Sequence, residues 1–70
     1  MKNFHDFYFG MTNAERQRYV TRVGTTIHFA ERVAGGFRRP SLLMAERLVK
    51  ASRGKTSFEA ILKTWHAKNG

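Results

Sequence analysis

Three histidines, five carboxylates and thirteen Lys or Arg side chains are the groups in this 70-residue chain best suited to chemistry. A metal site needs His, Cys, Asp or Glu ligands converging at short spacing. His5, His28 and His66 lie far apart with no acidic partner at ligand spacing, and there is no cysteine, so neither a metal nor another cofactor is expected. The chain has no nucleophile elbow, no phosphate-cradling glycine loop and no pair of carboxylates at a plausible separation, and it does not read as an enzyme. The cations remain. They give a formal net charge of +8 and a pI near 11, a field that attracts polyanions. The charge is lopsided: residues 1–35 carry +2 and residues 36–70 carry +6. Nucleic acid is the expected partner.

Something must hold those cations in place. Nine aromatics and a 41% hydrophobic content belong to a folding chain, of a length that holds one core. Without disulfides, packing has to stabilise it, with oligomerisation as an aid, and the absence of cysteine fits a reducing cytoplasm. No run approaches the roughly 20 apolar residues of a membrane span, and Met1–Phe9 has two charges and no cleavable hydrophobic region, so no membrane association or export is expected.

Helical spacing and caps divide the chain into five segments. Asn3 caps a short helix to Phe9 in which Phe4, Phe7 and Tyr8 share a face; at that spacing they read as core, not as platforms for stacking bases. Thr12-Asn13-Ala14-Glu15 is a capping box opening a helix over Asn13–Val23, with Tyr19, Val20 and Val23 inward and Gly24 as its stop. Thr25-Thr26 start a third helix at once, with Phe29, Ala30 and Val33 as its buried stripe and Gly35 as its end. After the Gly35-to-Pro40 connection, Ser41 caps a helix over Leu42–Ser52 with Ala45, Leu48 and Val49 inward. Thr56-Ser57-Phe58-Glu59 reads as a second capping box before a helix from Ser57 to about His66. No stretch alternates as a strand does, so the fold expected is all-α, a compact bundle of about five short helices in a single domain over residues 1–70.

Two helices joined through a glycine turn of three or four residues outline a helix-turn-helix. The window Arg16–Gly35, with Val20 four residues before the turn glycine Gly24, the polar pair Thr25-Thr26, and Ala30 and Val33 in the second helix, resembles the Cro/CI-type helix-turn-helix of phage repressors. Gly35-Gly36-Phe37-Arg38-Arg39-Pro40-Ser41 followed by Ala45-Glu46-Arg47-Leu48 is similar to the loop and next helix of many such proteins, and the likeness extends to about Leu62. Val20 stands where the family usually has Ala or Gly, and Ala30 where it has a larger aliphatic residue whose volume Phe29 is placed to fill.

The resemblance implies a lambda repressor-like DNA-binding domain whose helix 26–34 enters the major groove of a double-stranded operator. Helical geometry then puts Thr26, Ile27, His28, Glu31 and Arg32 against base edges. Arg32 suits the bidentate pair with guanine, Ile27 a thymine methyl, and Glu31 either a cytosine amino group or a pairing role beside Arg32. Arg16, Thr25, Arg38, Arg39 and Lys55 are the expected phosphate contacts, whereas Arg47, Lys50 and Arg53 read as a solvated outer face. Trp65 either caps the core or joins Ile61 and Leu62 in an apolar patch within residues 57–70 for a second subunit. A homodimer would place two such helices about 34 Å apart on a palindromic site. The function implied is a transcriptional regulator of phage or mobile-element type in a bacterial cytoplasm. With no room for an effector domain and no small-molecule ligand expected, its occupancy would follow its own concentration. The alternatives are an antitoxin-like or inhibitory module that turns the same fold against an acidic protein, and a nonspecific basic nucleic-acid or RNA binder.

Overall fold

Each helix begins where a short polar side chain can accept from a first-turn amide. In the computed structural model, which describes residues 3–70, the helices are α1 (Phe4–Phe9), α2 (Asn13–Val23), α3 (Ile27–Ala34), α4 (Leu42–Ala51) and α5 (Phe58–Asn69). Met1 and Lys2, part of the segment read for a leader, lie outside the described residues. The architecture is all-α and the described chain has no strand. Asn3, Thr12, Thr26, Ser41 and Ser57 are the five N-caps, and at Thr12 both halves of the box with Glu15 are present.

Two boundaries differ from expectation. The box from Thr56 to Glu59 does not form: Ser57 caps α5 by accepting from the Ala60 amide. The Thr56 amide donates to the Ser52 hydroxyl at 3.3 Å, which draws Thr56 inward until it is buried. Further on, α5 runs past His66 to Asn69 because its last turn has partners in the α3–α4 loop. The Asn69 side-chain amide donates to the Gly36 carbonyl at 2.7 Å, and Lys68 Nζ sits 3.4 Å from the centroid of the Phe37 ring.

Phe4, Tyr8, Tyr19, Val20, Ala30, Ala34 and Leu48 form the centre of the core, each with almost no exposed surface. Tyr19 and Phe7 meet edge to face with ring centroids 5.2 Å apart. Helix α1 packs against α3 and α5, while α2 packs against α3 and α4. Polar side chains tie these contacts together. Thr64 of α5 is buried and accepts from the amides of Phe4 and His5 at 3.0 and 3.3 Å, so α5 caps the start of α1. At the other flank, Tyr19 Oη donates to the Leu48 carbonyl at 2.6 Å and Arg22 to that of Ala51 at 3.1 Å, which satisfies the end of α4 from α2. Burial pushes the Tyr19 phenol well above its ordinary range, so it remains a donor at any ordinary pH.

Candidate nucleic-acid interface

Gly24 makes the turn that sets α3 against α2. Its φ of +86° is left-handed, and its amide and that of Thr25 both donate to the Val20 carbonyl, at 2.9 and 3.0 Å. Val20 and Ala30, where the sequence departs from the repressor pattern, are both fully buried.

Helix α3 turns Ala30, Val33 and Ala34 inward and leaves His28, Glu31 and Arg32 exposed, three residues that share one face at i, i+3 and i+4. Thr26 is exposed beside them; its hydroxyl oxygen accepts from the Phe29 amide at 3.1 Å and its proton stays available. Ile27 is not on the open face. It is half-buried and packs against the core, because residue 27 lies three and seven positions before the buried Ala30 and Ala34. Phe29, expected inside, is half-buried as well, and it carries the Arg38 guanidinium over its ring at 5.1 Å. The pairing of Glu31 with Arg32 is absent: the ion pairs among the described residues are His5–Asp6 and Lys63–Glu59.

The phosphate candidates disperse. Arg38 stays with α3, held by Phe29 and by its own amide, which donates to the Arg32 carbonyl at 3.2 Å. Thr25 lies in the turn, half-buried. Arg16 is turned toward α1: it donates to the carbonyls of Tyr8 and Phe9 at 3.3 and 3.0 Å and lies 5.4 Å from both rings, which makes it the cap of α1's C-terminus. Arg39 rims an apolar groove between α4 and α5. Lys55 lines a concavity with Arg18, Arg22 and Arg53, to which α3 contributes no residue.

That α4–α5 groove holds the C-terminal candidates. Leu42 and Leu62 are exposed and Trp65 is half-buried, but Ile61 is 2% exposed and belongs to the core. Position 61 follows the buried Ala60 and precedes the buried Thr64 by three, so it shares the inward stripe of α5. Phe58 at 40% exposure, unassigned from the sequence, completes the outer patch.

The sequence reading missed a second group. Arg18 and Arg22 on α2 come beside Arg47 and Lys50 on α4 and Arg53 in the turn that follows, around two adjoining concavities of about 550 and 340 Å³ that share Arg22 and Arg53. Spacing of i, i+4 on α2 and i, i+3 on α4 marks each half, but only the α2–α4 packing joins them. No described helix is long and apolar enough to cross a membrane. Comparison with protein-family models, curated proteins and solved structures finds no match for the chain.

Proposed function

We propose that this protein is a sequence-specific double-stranded DNA-binding regulator of the Cro type, reading a palindromic operator with α3 and dimerising through the α4–α5 groove. One observation carries the reading: His28, Glu31 and Arg32 stand exposed on one face of a helix that follows a left-handed glycine turn, and no ion pair among the described residues engages them. Exposed groups not already paired can exchange their hydrogen bonds to water for bonds to base edges when DNA arrives. In this arrangement Arg32 takes guanine O6 and N7, and Thr26 and His28 complete the base contacts. Arg38, seated on Phe29 next to the same helix, takes a phosphate. Arg16, turned toward α1, and the half-buried Ile27 brace the helices, and in this reading neither meets DNA directly. Trp65, Leu62, Leu42 and Phe58, which line one groove and of which the last three are exposed, supply the apolar surface for a second copy.

Selection of bound sequences from a random duplex pool tests the base readout. A palindromic consensus is expected, with Arg32→Ala relaxing one guanine position by about 1 to 3 kcal/mol. Enrichment of no sequence, or the same consensus after Arg32→Ala together with His28→Ala, would rule α3 out as the reader. Sedimentation of Leu62→Glu, compared with the unaltered protein, tests the dimer: both monomeric on the selected duplex means that the groove serves another purpose.

A further inference from the structure

Lys63 is the only Lys or Arg among the described residues within ion-pair distance of a carboxylate. Most of the remaining positive charge is concentrated away from α3. Arg18, Arg22, Arg47, Lys50, Arg53 and Lys55 are all exposed and line two adjoining concavities, one between α2, α4 and the turn after α4, the other between α2, that turn and the end of α1. Glu15 is the one carboxylate lining them; it accepts from the Thr12 amide at 2.8 Å and acts electrostatically with Arg18 and Lys55, so it offsets one of the six positive charges and leaves the surface strongly positive. Six cations brought together by tertiary packing repel one another, and the chain puts Arg53 in this group at a φ of +55°, a left-handed conformation that a non-glycine residue adopts at a cost. We infer that this α2–α4 face is a second binding surface, one that takes the phosphate backbone of duplex DNA without reading its sequence.

One feature favours a phosphate backbone over an acidic protein, since the forks of the four arginines suit phosphate and carboxylate alike. None of the exposed large apolar side chains, which are Phe9, Phe37, Leu42, Leu43, Phe58 and Leu62, lines either concavity; Leu43, one turn before Arg47 on α4, is the one on the same side of that helix. A protein partner needs an apolar interface centre from which charge is depleted, whereas counterion release from DNA needs cations alone. The surface shares no residue with the α3 face, so it stands whether or not α3 reads bases.

The experiment measures affinity for a fluorescent random-sequence duplex between 50 and 300 mM NaCl. The variant is R18Q/R47Q/K50Q/R53N, with Asn at 53 because it tolerates the left-handed backbone and Arg22 kept because it caps the Ala51 carbonyl. Each phosphate contact contributes about 0.9 to the slope of log affinity against log salt, so the slope should fall by about 3 to 4. The single variants R47Q and K50Q, both on the exposed side of α4, should each lower it by about 0.9 and keep the test valid if the fourfold variant does not fold. A slope unchanged in the folded variants overturns the inference, and it is also the result that a surface for an acidic protein would give. Arg32→Ala with His28→Ala is the separating control. Loss of sequence preference there, with the α2–α4 variants unchanged, sinks this surface and leaves base readout standing; the reverse pattern sinks base readout and leaves this surface standing.

Discussion

Replacing Thr64 with Val should loosen the platform on which α3 rests. The Thr64 hydroxyl accepts from the Phe4 and His5 amides at 3.0 and 3.3 Å and donates to the Ala60 carbonyl at 3.0 Å. Val has nearly the same volume and helix propensity, so packing and α5 itself are little changed. The Ala60 carbonyl keeps its intrahelical donor, and the partly exposed His5 amide can turn to water. The Phe4 amide cannot, because its residue is fully buried, and an orphaned buried donor costs about 1 to 3 kcal/mol. A net loss of about 2 kcal/mol is a large share of what a 70-residue domain has, roughly 4 to 10 kcal/mol. With a urea m value of about 1 kcal/mol/M for so small a protein, the unfolding midpoint should drop by about 2 M. Thr64→Ser, which keeps the oxygen, should recover most of it. Since α1 packs on α3, amide exchange in α3 should quicken in the Val variant. An unchanged midpoint for Val, or a Ser variant as weak as Val, would refute the assignment of α1's anchorage to this hydroxyl.

The Tyr8 hydroxyl is buried with no hydrogen-bond partner among the described residues, and burial raises its phenol pKa, so Tyr8→Phe should stabilise by about 1 kcal/mol, a rise in Tm of about 4 to 8 °C by calorimetry. At Gly36, φ is +79° and an added Cβ would lie 3.1 Å from the Thr64 carbonyl oxygen, so Gly36→Ala should cost about 2 kcal/mol or more in denaturant unfolding. Hydrogen bonds from Thr12 hold the Glu15 carboxyl below its ordinary pKa; this capping contribution is present above the unfolded carboxylate pKa and is lost as pH falls through the folded one. Thermal melts from pH 6 to pH 2 should therefore decline less steeply in Glu15→Gln than in the unaltered protein, and parallel curves would dismiss the coupling.

Much of this fold is written in adjacent residues. Caps, glycine stops and 3.6-residue spacing are local, so Asn3, Thr12, Thr26 and Ser41 announce four helix starts, and Gly24 announces the turn between α2 and α3. The exposure of His28, Glu31 and Arg32 follows from the same periodicity, given which face is buried. Ile27 and Ile61 obey the same periodicity, 27 with Ala30 and Ala34 and 61 with Thr64, but the sequence reading sets Ile27 on the open face of α3 and Ile61 in an outer patch, and only the packed structure shows both against the core. Arg16 escapes local reasoning, since nothing local to α2 shows that the carbonyls at the end of α1 lie within its reach.

Charge shows the same division at larger scale. Its sign and excess are properties of composition, and they alone point to a polyanion. Its location is not. Arg18 and Arg22 lie 25 residues or more before Arg47 and Lys50, and they share a surface only because α2 packs on α4, with Tyr19 and Arg22 satisfying the carbonyls of Leu48 and Ala51. The length of α5 was equally hidden, because its last turn is held by Gly36 and Phe37, over thirty residues away. Helices, caps and net charge come from interactions within a few residues and could be read in order along the chain. Which cations stand together, and where α5 ends, depended on long-range packing that no local pattern records.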